Sequence, residues 1–221
     1  MTTAVITGAN RGIGLAFAKA LLARGDTVIG TAREPAEAGE LANSGAEVEE
    51  LDVTDDASVT NFAERLQGRS VDLLINNAGI LRRDRLDSFD PATLQREFDV
   101  NALGPLRVTN ALLPSLRLSA KPRIVALTSR MGSIADNNSG GFYGYRASKA
   151  ALNAVIKSLS IDLDPWPAVV IHPGYVRTRM TGNQGDLTAE EAVERMLLVI
   201  DKLDSSMSGK FFHRDGHELP W

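Results

Sequence analysis

The stretch TAVITGANRGIG, residues 3–14, joins a short apolar, β-branched run to a loop with glycines at 8, 12 and 14, and LAFAKALLARG continues from residue 15 with helical periodicity. Strand, glycine-rich turn and helix in that order open a βα unit, the building block of a parallel sheet. Glycines at such a junction permit a tight turn, let the backbone approach a pyrophosphate and aim the helix's first amides at its negative charge. The spacing is GxxxGxG rather than the GxGxxG of the general dinucleotide fingerprint. We read Gly8, Asn10, Arg11, Gly12, Ile13 and Gly14 as a phosphate cradle. A ligand-free glycine turn is the plainer alternative, and the position at the first βα junction weighs against it.

Six further apolar runs follow: TVIGTA (27–32), VEELDV (48–53), VDLLIN (71–76), RIVALTS (123–129), AVVIHP (168–173) and KFFH (210–213). Longer segments of helical periodicity separate them. Several runs are apolar throughout, as strands covered on both faces must be. The alternation predicts a doubly wound α/β fold of Rossmann type, with a mainly parallel, seven-stranded sheet flanked by helices on both faces, as one domain over residues 1–221. No linker-like composition interrupts it. In such sheets ligands bind beyond the carboxyl ends of the strands, so the residues just after each run are where chemistry should collect.

The totals narrow the function. A net charge of −4 without a basic block gives no electrostatic basis for nucleic acid or an anionic membrane as partner. With no cysteine there is neither a disulfide nor a thiolate nucleophile. The start MTTAVITGAN lacks the basic and apolar regions of a signal peptide, and no apolar run reaches spanning length, so the expected location is cytoplasmic. The three histidines, His172, His213 and His217, stand at no metal-ligand spacing, so no metal site is expected.

At the end of the second run, Thr31-Ala32-Arg33 lacks the carboxylate that grips ribose hydroxyls in NAD sites. Arg33 and Arg11 offer two guanidinium groups suited to a 2′-phosphate, which favours NADP(H). Solvated surface arginines are the alternative, with Glu34 next door. Asp52 and Val53 close the third run, where a carboxylate can accept from an adenine amino group.

In GFYGYRASKAALN, residues 141–153, Tyr145 and Lys149 lie one helical turn apart on one face, whereas Tyr143 points elsewhere. An ammonium at about 4 Å supplies roughly 4 kcal/mol at an effective dielectric of about 20, enough to pull a tyrosine toward neutrality. YxxxK alone is a common accident. Here it occurs with NNAG (76–79), Asn101 in VNALG, Ser129 in SRMG and PGYVRT (173–178), all in order.

That ordered set closely resembles the short-chain dehydrogenase/reductase family over essentially the full chain. YGYRASKAALN and the ending GKFFHRDGHELPW further resemble the branch of C-factor and sniffer-type carbonyl reductases. The resemblance implies NADPH-dependent reduction of a small-molecule carbonyl compound. It makes Tyr145 the general acid and Lys149 the group that depresses its pKa and bonds the nicotinamide ribose. Ser129 would bond the carbonyl oxygen, and Asn101 would hold a water linking Lys149 to solvent. Asn77, Ala78 and Gly79 would floor the cofactor cleft, and Pro173, Gly174, Val176 and Thr178 would sit at its nicotinamide end. An NADP(H)-binding signalling protein of C-factor type with little turnover is the alternative.

His172 reads as a packed histidine and Arg82, Arg83 and Arg85 as a solvated loop face. Met131, Tyr175, Met180 and Trp221 are pocket-lining or packing residues. The segment between Ser129 and Tyr145, with IADNNSGG, is longer than the family's usual one. Ala147, Ala151, Ala154 and Ser158 form a stripe of small side chains on the Tyr145 helix. With a long helical segment from Pro91 to Leu118 they suggest a homodimer across a two-fold axis, the helix's own packing on the sheet being the alternative.

Overall fold

The computed structural model describes residues 1–221. Its seven strands are β1 (Thr3–Ile6), β2 (Thr27–Ala32), β3 (Glu47–Glu50), β4 (Leu73–Asn76), β5 (Arg123–Leu127), β6 (Ala168–His172) and β7 (Phe211–His213). They form one sheet of order β3-β2-β1-β4-β5-β6-β7, and every pairing is parallel. The strand order reverses between β1 and β4, so the crevice beyond their carboxyl ends is the expected ligand position.

Alternate residues of each central strand feed two apolar layers. Ala4 and Ile6 of β1 pack in one layer and Val5 in the other; Leu73 and Ile75 of β4 oppose Leu74, and Val169 and Ile171 of β6 oppose Ala168 and Val170. With period-2 side-chain direction, a strand buried on both faces must be apolar at every position, which explains the unbroken runs. Helices α1 (Gly12–Ala23) and α8 (Ala189–Ile200) cover the first face through Phe17, Leu21, Met196 and Ile200. The second face is covered by α3 (Asp56–Arg65), α5 (Gly104–Ala111) and α7 (Tyr143–Asp162), through Phe62, Val108, Leu152 and Ile156. Phe17 and Phe62 are fully buried, and truncating either to Ala should cost about 3–5 kcal/mol. The short helices α2 (Gly39–Asn43) and α6 (Leu113–Leu116) complete the connections.

Two sequence expectations need correction. Asp52 and Val53 do not close β3, which ends at Glu50. The last ladder bond is Leu51 N–H to the Ala32 carbonyl at 2.9 Å; Asp52 Oδ1 then accepts from the Thr54 amide at 2.9 Å and turns the chain away. The segment 91–118 is not one helix either. It comprises α4 (Pro91–Phe98), a π-helical turn over Asp99–Leu103, then α5 and α6. Pro105 explains the break: without an N–H it cannot close the α-helical bond to the Asn101 carbonyl, so the turn widens around Asn101.

Candidate active site

The phosphate loop and the loop after β4 are built as one piece. The Thr7 hydroxyl accepts from the amides of Asn77 and Ala78, each at 3.0 Å, and Asn77 Nδ2 donates to the carbonyls of Thr7 and Gly8 at 2.8 and 2.9 Å. Gly14 must be glycine because a Cβ there would lie 2.5 Å from both Asn77 Nδ2 and the Gly8 carbonyl. Gly8 and Gly12 adopt φ of 63° and 55°, the left-handed region that glycine occupies without strain. At Gly12 a Cβ would stand 3.6 Å from Thr178 Cγ2, so the loop after β6 closes over the loop after β1. Arg11 is the N-cap of α1 and makes no side-chain cap, leaving the helix's first amides available to an anion, with Asn10 and Ile13 on either side of this turn.

Beside the loop after β2, Arg11 and Arg33 are exposed. Asp52 lies in the field of Arg33: although burial opposes it, hydrogen bonds from Thr54 and the fields of Arg33 and Arg96 hold its carboxyl below the usual range. Val53 is buried, and a Cβ on Gly104 would meet its Cγ2 at 2.8 Å, so Val53 rests on α5.

At the reacting end α7 resolves the two tyrosines. Tyr145 is 7% exposed and Tyr143 40%. Lys149, 5% exposed, donates from Nζ to the Leu127 carbonyl at 2.8 Å, and its Nζ lies 5.9 Å from the Tyr145 ring centre. Asn101 is fully buried and fixed at both ends. Its Oδ1 accepts from the Ile80 amide at 2.8 Å, and its Nδ2 donates to the Ile80 carbonyl and the Ser148 hydroxyl at 2.9 and 3.0 Å. A Cβ on Gly79 would be 3.2 Å from Asn101 Oδ1 and 3.7 Å from Lys149 Nζ, which places Gly79, Asn101 and Lys149 at one spot. Ser129, just after β5, accepts on Oγ from the Met131 amide at 3.1 Å and lies near enough to Tyr145 to pull its pKa down. Ser129, Tyr145, Lys149 and Asn101 therefore converge beyond the carboxyl ends of β4 and β5.

Burial pushes the Tyr145 phenol up to about 12, against the pull of Ser129. The same burial pushes the Lys149 ammonium down to about 8, and the ammonium is turned to the Leu127 carbonyl rather than to the phenol. For both groups desolvation by burial is the largest cause. The Asn101 carboxamide is held by protein partners at both of its atoms.

Beyond β6, Pro173 and Gly174 lead to a bridge between Val176 and Leu187 and a short turn at Arg179–Thr181, where Thr181 Oγ1 receives the Thr178 amide at 3.1 Å. Tyr175 and Met180 are 47% and 44% exposed on this flap. The segment after Ser129 is held near its start: the Trp221 main-chain oxygen accepts from Ser133 Oγ and from the amides of Ile134 and Ala135, at 3.0, 2.9 and 3.0 Å. Arg82, Arg83 and Arg85 are exposed, as their loop position suggested.

Four features escape a reading of the sequence. Thr7 looks like an ordinary strand end, yet it ties the two cofactor loops together. Glu97 and Asp84 are carboxyl groups buried below the first turn of α7. The three histidines, scattered in sequence, gather beside β6 and β7, with ring centres 5.6 Å apart for His172 and His213 and 4.6 Å for His213 and His217. Burial, reinforced by His213, Arg214 and Arg130, depresses His172 to about 3, in keeping with a packed neutral side chain.

The model of the short chain dehydrogenase family matches residues 2–189. The C-signal of Myxococcus xanthus is 49% identical over 163 residues, covering 72% of this chain and 98% of that protein. Among solved structures, the NADPH-bound carbonyl reductase from chicken fatty liver superposes with a TM-score of 0.94 at 35% identity, covering 100% of this chain and 99% of that one. The carbonyl reductase Sniffer of D. melanogaster superposes with a TM-score of 0.93 at 31% identity, covering 100% of both chains.

Proposed function

Since this chain belongs to the short-chain dehydrogenase family, we propose that it is an NADPH-dependent reductase that converts an aldehyde, ketone or quinone to the alcohol, with Tyr145 as proton donor. The observation that carries this reading is the meeting of Ser129, Tyr145, Lys149 and Asn101 beside the glycine cradle. The cradle fits a dinucleotide: α1 has uncapped N-terminal amides, a Cβ on Gly14 would fill the loop, and the carboxylate that would repel a 2′-phosphate after β2 is replaced by Arg33. Residues 8–14 would hold the pyrophosphate, Arg11 and Arg33 the 2′-phosphate, and Asp52 and Val53 the adenine. Asn77, Ala78 and Gly79 would lie under the cofactor, and Pro173, Gly174, Val176 and Thr178 would border the nicotinamide. The bound cofactor supplies the hydride.

The protein's own part is to place and move one proton. A substrate carbonyl oxygen that accepts bonds from both Ser129 and Tyr145 is held where negative charge will develop. An alkoxide is a stronger base than a phenolate, so Tyr145 gives up its proton downhill even from about 12. Lys149, at about 8, stays charged at neutral pH yet sits close enough to it to return a proton to the tyrosinate. NADPH consumption against a panel of aldehydes, ketones and quinones tests the reading. Tight NADPH binding without turnover on any of them would favour the signalling alternative that the similarity to C-signal raises.

The small-residue stripe supports assembly as a homodimer. Ala147, Ala154 and Ser158 are exposed, while Tyr145, Ser148, Lys149, Leu152 and Ile156 form the buried face of α7. The stripe thus faces away from the sheet. Exposed Phe98, Leu106 and Ile161 on α4, α5 and α7 add apolar area that a second copy would cover.

A further inference from the structure

Two carboxyl groups lie directly beneath the turn that presents Tyr145. Glu97, on α4, is fully buried; its Oε1 accepts from the Arg82 amide at 2.6 Å and its Oε2 has no hydrogen-bond partner. Asp84, in the loop after β4, is 8% exposed; its Oδ2 accepts from the Gly144 amide at 3.2 Å and its Oδ1 has no partner. Both groups bear on Gly144. A Cβ there would collide with Glu97 Oε2 and lie 2.9 Å from Leu94 Cγ, so only glycine lets α4 and α7 approach this closely. The next residue is Tyr145.

Ionised carboxylates only accept hydrogen bonds, so two orphaned oxygens over one residue cannot satisfy each other while both are charged, and two buried negative charges repel. A single proton removes both difficulties, because a neutral carboxylic acid donates one bond. The groups facing Glu97 are Arg82 and Asp84 from the loop after β4 and Tyr145 from α7. Burial first, and the Asp84 charge after it, raise the Glu97 pKa against the Arg82 amide and guanidinium.

We propose that Glu97 is a positioning residue: it stands as the neutral acid, donates its proton to Asp84, and through Asp84 and Gly144 fixes the first turn of α7 and hence the place of Tyr145. Glu97 reaches neither substrate nor cofactor in this account. Its catalytic consequence rests on the reductase reading above; its protonation does not. Ionising Glu97 breaks the bond to Asp84 and sets a second negative charge near Tyr145, which strengthens that residue's hold on its proton. Activity therefore declines as the pH rises through the elevated Glu97 value.

Infrared difference spectroscopy of the unmodified protein against Glu97→Gln at pH 7 reads the proton directly and needs no turnover. The expected result is a protonated-carboxyl C=O band in the unmodified protein that the variant lacks; no such band overturns the proposal even if the protein proves an active reductase. Kinetics then read the positioning. Glu97→Gln, whose amide can still donate to Asp84, should recover most of kcat and move the alkaline limb upward. Glu97→Met should lower kcat by about 10- to 100-fold with KM for NADPH unchanged, as expected for a misplaced donor. A Glu97→Met variant with the kcat and pH profile of the unmodified protein would overturn the positioning role. If Glu97→Met does not fold, the Glu97→Gln profile decides: an unmoved alkaline limb counts against the proposal.

Discussion

Lys149→Met should cost activity while leaving a distinctive trace in stability. The ammonium is held 5% exposed, and burial lowers its pKa from 10.5 to about 8. Such a depression means that carrying the charge at pH 7 costs the folded state about 3 kcal/mol. Methionine keeps much of the apolar stem and removes that penalty, but it leaves the Leu127 carbonyl without its charged donor, a loss of about 1–3 kcal/mol. At pH 7 the two terms nearly offset, so the variant should be as stable as the unmodified protein or slightly more so. The pH dependence is the sharper test. Between about 8 and 10.5 the unfolded chain binds more protons at this site than the folded one, so the unmodified protein gains stability as the pH rises, whereas the variant has no such group. Urea unfolding of both proteins at pH 7 and pH 10 should therefore show the difference moving by roughly 2–3 kcal/mol in favour of lysine. Tyr145, whose own stabilising contribution declines only above its ordinary value of 10.0, is common to both. NADPH-dependent reduction by the variant should fall by about 100-fold or more. A stability difference that stays constant between the two pH values would refute the claim that this lysine is a strained, desolvated charge.

Tyr145→Phe should abolish reduction with NADPH binding largely retained, whereas exposed Tyr143→Phe should change kcat little; an active Tyr145 variant beside a dead Tyr143 variant reverses the assignment. Arg33→Ala should weaken NADPH binding by about 1–3 kcal/mol and NADH binding far less, measured as kcat/KM for each cofactor; equal values for the two cofactors in the unmodified protein contradict the 2′-phosphate reading. His172, lowered from 6.5 to about 3, favours its neutral form, so its contribution is complete above 6.5 and is lost as the pH falls toward 3. Relative to His172→Gln, the unmodified protein should lose about 2–3 kcal/mol between pH 7 and pH 4.5 in urea titrations, and parallel curves would count against a buried neutral histidine. Ala154→Glu should convert a dimer to a folded monomer in light scattering with an unchanged circular dichroism spectrum; an unmodified protein that is already monomeric at micromolar concentration refutes the dimer.

The βα order, the parallel sheet and the residues at its carboxyl edge were legible in the amino-acid order. Those properties depend on local spacing: apolar at every position for a strand buried twice, glycine where a turn must be left-handed, a step of one helical turn from Tyr145 to Lys149. The same spacing separated Tyr145 from Tyr143, because helical phase is fixed along one element. Whatever depends on neighbours brought from elsewhere in the chain was not legible until the packing was known. Asn101 owes its widened turn partly to Pro105, a local cause, but its fixed carboxamide to Ile80 and Ser148. Nothing in the YxxxK spacing tells that Lys149 turns to Leu127, so the sign of the Tyr145 shift is set by burial, a property of the packed whole. Glu97 reads as a polar helix residue until α4 meets α7 at Gly144, and only that contact makes it a buried acid whose second oxygen finds no partner.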